Sequence, residues 1–201
     1  MRGPNVTAGY WNDPRRTESV LDSLGWFHTG DLGELTPAGL KLMCRADGLF
    51  KLNNGEKVPS LAVENCLTLT SHWIQNAVAV GAGESFVGAL LFPNFRALRD
   101  WAFRCGRVMD SPEAFARDQE VQHLLRAEIA RHAADLPQKY LTVKAAAVIP
   151  AELTLEAGQL TPSMKVVRHK VMEDFAPWVD ALYHPDRNLP LRPFITSLKE
   201  A

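Results

Sequence analysis

The stretch Gly48-Leu49-Phe50-Lys51-Leu52-Asn53-Asn54-Gly55-Glu56-Lys57-Val58-Pro59 marks the point where the pattern of the chain changes. Two short apolar runs flank Asn53-Asn54-Gly55, and Asn-Gly between such runs is the strongest short-range signal for a β-hairpin. Pro59 then opens a helix expected to run to about Thr70, with Val63, Cys66 and Leu67 at helical spacing. Ala77–Gly81 and Phe86–Phe92 are β-rich and separated by Ala82-Gly83-Glu84-Ser85, which predicts an antiparallel pair. Asn94 can cap a helix carrying Phe95, Leu98, Trp101, Ala102 and Cys105, with Gly106 as its stop. Ser111-Pro112 opens another helical stretch. Val121, Leu124, Leu125, Glu128, Ile129, His132 and Leu136 then recur at helical spacing in a helix that ends before Pro137. Val143–Ile149 reads as a third strand. A polar loop over 151–164 leads to Lys165, and a helix from about Val167 to Tyr183 is expected to restart at Pro177. The Pro-rich tail 184–201 is expected to be extended. Strands joined by hairpins and mixed with helices give an α+β class. The expected form is a short β-hairpin and a three-stranded, mainly antiparallel sheet packed by helices.

Upstream of this stretch the composition differs. Residues 1–46 are rich in Gly, Pro, Asn, Asp and Thr and poor in periodic apolar pattern. Short strands are expected near Gly25–Thr29 and Leu40–Met43, with Pro37-Ala38-Gly39 as a turn. Asp13-Pro14 predicts a short helix with Val20 and Leu21 turned inward. Such a thin segment cannot build a core and must pack on something else. The expected organisation is therefore a β-rich 1–46 and a second domain over 47–201, with the boundary near Arg45–Gly48.

Composition removes several function classes. The chain has 201 residues and 46% apolar content, ordinary for a globular protein. Lys and Arg number 22 against 23 Asp and Glu, a net charge of −1, which argues against a dedicated nucleic-acid binder and against disorder. No apolar run is long enough for a transmembrane helix, and the first residues lack the apolar region of a signal peptide, so a cytoplasmic, reducing location is expected. Cys44, Cys66 and Cys105 are widely spaced, with no CxxC pair. No His pair has metal-ligand spacing, so no metal site is expected, and all six His are assigned to structure or surface.

Four motifs carry chemistry: Gly3-Pro4-Asn5-Val6 through Gly9-Tyr10-Trp11-Asn12; Gly25-Trp26-Phe27-His28-Thr29-Gly30-Asp31-Leu32-Gly33; Arg45 through Val58; and Leu160-Thr161-Pro162-Ser163-Met164-Lys165. Each is common alone. Together, in this order, they resemble the adenylate-forming superfamily of acyl-CoA synthetases, luciferases and peptide-synthetase adenylation domains. The resemblance covers almost the whole chain. It looks most like the long-chain fatty acyl-CoA synthetases, through Lys51-Leu52-x-x-Gly55-Glu56, the LTPSMK form of the lysine motif and the helical insert 94–136. The family usually has Gly where Cys44 stands.

The resemblance implies roles for these residues. Asp31, after Thr29 and Gly30, would accept from the vicinal hydroxyls of the AMP ribose, and Arg45 would meet the same ribose. As isolated residues they read as a turn-capping Asp and a surface cation. Asp47 and Gly48 fall at the family's hinge between a large N-terminal and a small C-terminal domain, although a plain turn needs the same residues. Lys51, Asn54, Gly55 and Glu56 lie on the loop that lines the pantetheine channel during thioester formation. A type I′ turn, which requires positive φ, explains Asn54-Gly55 as well. Lys165 would bridge the substrate carboxylate and the α-phosphate during adenylation, where a mobile point cation meets charge building on phosphoryl oxygens. Taken alone, Lys165 is one surface cation among 22. Arg168 matches a basic position that would touch phosphate or the partner domain.

The Ser/Thr/Gly-rich phosphate loop ending in Lys that such enzymes use for ATP is not present in these residues. The resemblance therefore implies the C-terminal portion of a longer ligase, inactive alone. Its missing N-terminal adenylation domain is its partner, and ATP, Mg²⁺, CoA and a fatty acid enter only in the intact enzyme. None of these is expected to bind tightly to this portion. A different expectation is a stand-alone, non-catalytic module that docks on a separate synthetase or another protein. Acyl chain length is not encoded here.

Overall fold

The structure is a computed structural model that describes residues 1–69, 71–133, 136, 138–184 and 194–197. The chain divides into two compact units, Met1–Leu49 and Phe50–Ala201.

In the first unit, helix α1 spans Pro14–Val20 and starts as the sequence implies. Asp13 Oδ1 accepts the Arg16 N–H at 3.0 Å, and Pro14 occupies the first turn, where its missing N–H costs nothing. Val20 and Leu21 are half-buried. Strands β1 (Asp31–Thr36) and β2 (Gly39–Arg45) form an antiparallel hairpin closed by the Pro37–Gly39 turn, with Thr36 opposite Gly39. The strand expected at Gly25–Thr29 shrinks to a single bridge, Leu21 to Phe27, because Asp22 caps a local turn there instead. Its Oδ1 accepts the N–H groups of Leu24 (3.0 Å) and Trp26 (2.9 Å). Among the described residues, none before Leu52 belongs to a buried core; Leu24, Leu35, Leu40 and Leu42 are exposed. The unit ends just after a short 3-10 turn, Ala46–Gly48.

The second unit opens with the hairpin β3 (Leu49–Lys51) and β4 (Lys57–Pro59). Its turn is not type I′. Asn53 and Asn54 keep negative φ and only Gly55 is left-handed, at φ 87°. The Gly55 N–H donates to the Leu52 carbonyl at 2.9 Å, the form of a type I turn closed by a left-handed glycine. Helix α2 (Ser60–Thr68) follows directly and buries Val63 and Leu67.

The sheet has four strands in the order β5 (Ile74–Val80), β6 (Val87–Pro93), β7 (Val143–Val148), β8 (Phe194–Ser197). One expectation is corrected here: there is a fourth strand, β8, antiparallel to β7. The sheet is mainly antiparallel, as expected, with β6 and β7 as its parallel pair. A parallel neighbour needs a long crossover. Helices α3 (Phe95–Arg104), α4 (Pro112–Arg117) and α5 (Gln119–Ala133) supply it. Asn94 and Ser111 cap α3 and α4 through the N–H groups of Ala97 (3.1 Å) and Ala114 (3.2 Å). Leu136 packs on the core beyond the helix; the expected stop at Pro137 and most of the expected extended tail lie outside the described residues.

Both faces of the sheet are covered, so every residue of β6 is buried and no polar alternation is seen. One face carries Ala77, Ala79, Ala89 and Leu91 against Val63, Leu98, Phe115, Leu125 and Ile129. The other carries Val78, Val80, Leu90 and Phe92 against Leu160, Val171 and Leu182. Each fully buried Leu, Val or Phe contributes about 1.5–3 kcal/mol. Phe95 is fully buried while Trp101 is only half-buried, and Cys105 faces solvent. The last helical segment breaks at Phe175 into α6 (Arg168–Asp174) and α7 (Ala176–Tyr183), with Pro177 in the first turn of α7.

Candidate functional site

The residues singled out in the first unit come together. Gly30 sits at φ +73°, which turns the chain into β1, and the Asp31 N–H donates to Thr29 Oγ1 at 3.1 Å. Asp31 and Arg45 are register partners at the open end of the β1–β2 hairpin. Arg45 Nη1 donates to the Thr29 carbonyl at 2.5 Å and to Asp31 Oδ1 at 3.3 Å, and the Ala46 N–H donates to the Gly30 carbonyl at 2.7 Å. A Cβ on Gly30 would stand 2.9 Å from the Arg45 guanidinium, which would have to shift, and the positive φ favours glycine there. The Asp31 and Arg45 side chains remain 38% and 53% exposed. The arrangement is a carboxylate oriented by an arginine fork, with lone pairs left to accept a pair of hydroxyls. Asp47 and Gly48 lie on the 3-10 turn between extended residues, and Gly48 uses no left-handed conformation.

In the second unit the tip of the β3–β4 hairpin is held by its own polar groups. The Asn54 amide donates to Glu56 Oε2 at 3.0 Å, and the Glu56 N–H donates to Asn54 Oδ1 at 3.1 Å. The neighbouring tip docks alongside: the Gly83 N–H donates to the Lys51 carbonyl (2.8 Å) and the Asn53 N–H to the Glu84 carbonyl (2.9 Å). A methyl group on Gly55 would meet nothing within 4 Å, so the backbone there is open to a ligand.

Lys165 projects from a tight, polar turn. Leu160 and Val166 form a bridge on either side of it. The Thr161 N–H donates to the Lys165 carbonyl (2.8 Å), the Lys165 N–H to Thr161 Oγ1 (3.1 Å) and the Met164 N–H to the Thr161 carbonyl (2.8 Å). Thr161 and Ser163 share a hydroxyl hydrogen bond at 3.0 Å, and Met164 takes φ 60°. Gln159, nearly buried, ties the base of the turn to α6: its Nε2 donates to Asp174 Oδ2 at 2.8 Å and its carbonyl accepts the Val167 N–H at 2.8 Å. The Asp174 carboxyl is held below its usual range by the Lys170 ammonium and by that Gln159 bond. The Lys165 side chain is exposed, with no ion pair or hydrogen bond to another described residue at its ammonium.

The Arg168 guanidinium donates to Glu64 Oε1 and to the Ala79 carbonyl, both within the second unit. Glu64, on α2, is a neighbour of Arg168 that motif reading misses; it stands 104 residues away in sequence, and only its place beside the apolar stripe of α2 sets it apart.

Two cavities lie away from these residues. A small one between α2 and α5 is lined by Val63, Cys66, His132 and Leu136, and a shallow groove by Trp101, Gln119, His123 and Leu124. Among the described residues no cluster of three or more His, Cys, Asp or Glu could hold a metal ion, and no helix is long and apolar enough to cross a membrane.

Residues 47–187 match the family model of the AMP-binding enzyme C-terminal domain. Long-chain-fatty-acid–CoA ligase 1 of Cavia porcellus is 32% identical over 185 residues, 91% of this chain and 26% of that protein. The peroxisomal long chain acyl-CoA synthetase 7 of Arabidopsis thaliana is 30% identical over the same shares. Among solved structures, the A domain of a carboxylate reductase from Mycobacterium chelonae aligns with a TM-score of 0.68 at 29% identity, over 88% of this chain and 26% of that one. The A domain of the carboxylic acid reductase from Segniliparus rugosus, solved with AMP and a carboxylic acid, aligns with a TM-score of 0.72 at 23% identity, over 92% and 27%. The chain spans about a quarter of the length of the relatives it matches.

Proposed function

Because this chain belongs to the AMP-binding enzyme C-terminal domain family, we propose that it is the lid portion of an ATP-dependent, AMP-forming fatty acid–CoA ligase. In this reading the carboxylate attacks the α-phosphorus of ATP, giving acyl-adenylate and pyrophosphate. The CoA thiol then displaces AMP, giving the thioester. The phosphate loop for ATP belongs to the adenylation domain that these residues partner, and Mg²⁺ and CoA act only in that intact enzyme.

The observation that carries the reading is the Lys165 turn: an exposed ammonium on a loop stiffened by Thr161, Gln159 and the 160–166 bridge. A cation on a held backbone turn, with no counter-charge at its ammonium among the described residues, suits a phosphoryl oxygen that gains charge in the transition state. Asp31, Arg45 and Thr29 form the ribose end, with the carboxylate accepting the two hydroxyls and Arg45 fixing its direction. The Ala46–Gly48 turn, with Asp47 in it, serves as the hinge between the half-reactions. Lys51, Asn54, Gly55 and Glu56 serve the second half, where the open backbone at Gly55 lets a narrow pantetheine arm pass. The lack of a core in residues 1–49, with four exposed leucines, supports their packing on the adenylation domain.

Fatty-acid-dependent exchange of pyrophosphate into ATP tests the assignment. The 201 residues alone are expected to give none, and a reading frame that joins them to a phosphate-loop domain is expected to give exchange. Exchange by the 201 residues alone, or none by the joined protein with any acid, contradicts the proposal.

A further inference from the structure

Ala79 lies on β5, an edge strand among the described residues, paired with Ala89 of β6. Both of its backbone groups are taken by side chains. Glu64 Oε1 accepts the Ala79 N–H at 2.9 Å, and Arg168 donates to the Ala79 carbonyl. The same Glu64 oxygen accepts from Arg168 Nη1. The ion pair thus does for one residue what a further strand would do, closing the polar edge that a sheet otherwise presents. The Glu64 and Arg168 side chains are only 18% and 26% exposed, so water shields the pair weakly.

The position of this clip matters more than its sheet-capping. Arg168 is the first residue of α6, whose N-cap Val167 supplies no side-chain hydrogen bond. The start of α6 is therefore anchored by the Arg168 guanidinium and by the Val167 N–H on Gln159, and not by a cap. Lys165 lies three residues before Arg168, with Val166 bridged to Leu160 between them. One side of the Lys165 turn is fixed by Thr161, the other by Arg168.

We infer that Glu64 is a positioning residue for Lys165: by orienting Arg168 on Ala79 it sets where the Lys165 ammonium stands. The catalytic consequence rests on the ligase reading above, whereas the mechanical claim does not. Glu64→Gln keeps an acceptor for the Ala79 N–H and nearly the same shape, and removes only the charge that holds Arg168.

Two measurements separate the claims. In the 201-residue chain, hydrogen exchange of the Thr161, Met164, Lys165 and Val167 amides is expected to quicken about tenfold in Glu64→Gln, the loss of one charge-assisted hydrogen bond. Unchanged protection at these four amides overturns the mechanical claim, whatever the chain catalyses. In the intact ligase, kcat for adenylation is expected to fall about ten- to hundredfold, the scale for a small misplacement of a reacting group. Thioester formation from supplied acyl-adenylate should stay within about twofold, and Glu64→Asp, which keeps the charge, should recover part of the adenylation rate. Equal loss in both half-reactions marks a merely structural residue and overturns the inference. If Lys165→Ala leaves adenylation intact, the ligase reading fails instead, and the exchange result still judges the Glu64 contact.

Discussion

Tyr183 offers a perturbation whose size follows from geometry. Its hydroxyl donates to the Val80 carbonyl at 2.9 Å and accepts the Gly88 N–H at 3.0 Å, joining α7 to β5 and β6 where those strands pair. Its ring packs on Phe86 at 4.9 Å between centroids. Tyr183→Phe keeps the ring and removes the hydroxyl, leaving the Gly88 N–H in a buried strand without that acceptor. The cost of such an orphaned donor is about 1–3 kcal/mol. For a unit of this size, about 2 kcal/mol lowers Tm by about 4–8 °C. Urea unfolding followed by far-UV circular dichroism should show the midpoint fall with the slope unchanged. The pH dependence adds a second check. Burial pushes the Tyr183 hydroxyl well above its ordinary value of 10, and the Glu84 charge adds to this, outweighing the Gly88 N–H bond. A raised folded-state pKa on an acid means the neutral form is held in the native state. That stability is complete below the unfolded value and is lost as pH rises through and beyond it. Above pH ~10 the native protein should lose up to about 1.4 kcal/mol per pH unit on this account, and Tyr183→Phe should lose none of it. The two proteins should therefore converge in stability near pH ~11.5. A difference below about 0.5 kcal/mol at pH 8, or parallel alkaline limbs, refutes the reasoning.

Three further outcomes are expected. Asp118 caps α5 through the Glu120 and Val121 N–H groups, both at 3.1 Å, and pairs with Arg107; Asp118→Ala should cost about 1–2 kcal/mol by urea unfolding. Burial opposes ionisation of Asp118, but the Arg107 hydrogen bond and the capped amides outweigh it and hold its pKa below the usual value. This stability is present above the unfolded value near 4 and is lost as pH falls below it, so Asp118→Asn should show a flatter acid limb than the native protein. Gly30→Ala, forced into positive φ and against Arg45, should cost about 1–2 kcal/mol of strain; in the intact ligase it should raise KM for ATP about tenfold, and an unchanged KM removes the ribose role from Asp31 and Arg45.

The legible parts of this fold are those set by neighbours in sequence. Asn53–Gly55 with its flanking runs locates the β3–β4 hairpin, though not its turn type, since only Gly55 needs positive φ. Asn94 and Ser111 mark two helix starts, and Pro177 the restart of the last helix. The parallel pairing of β6 with β7 is not legible, because a strand buried on both faces reads the same whichever way its neighbour runs. In the candidate site, Thr29, Asp31 and Arg45 are visible as motif residues and the hairpin brings them together. Glu64 is not, because its partners Ala79 and Arg168 come close only once α2, β5 and α6 have packed. Arg168 is visible as a charge, but its direction depends on that same packing.

The central claim assigns Lys165 to adenylation alone, and one comparison tests it most directly. In the intact ligase, Lys165→Ala should reduce acyl-adenylate formation by about 10²–10³-fold, the scale for losing one transition-state charge contact, while CoA thioester formation from supplied acyl-adenylate stays within about twofold. Equal loss of both half-reactions, or retention of adenylation, would contradict it.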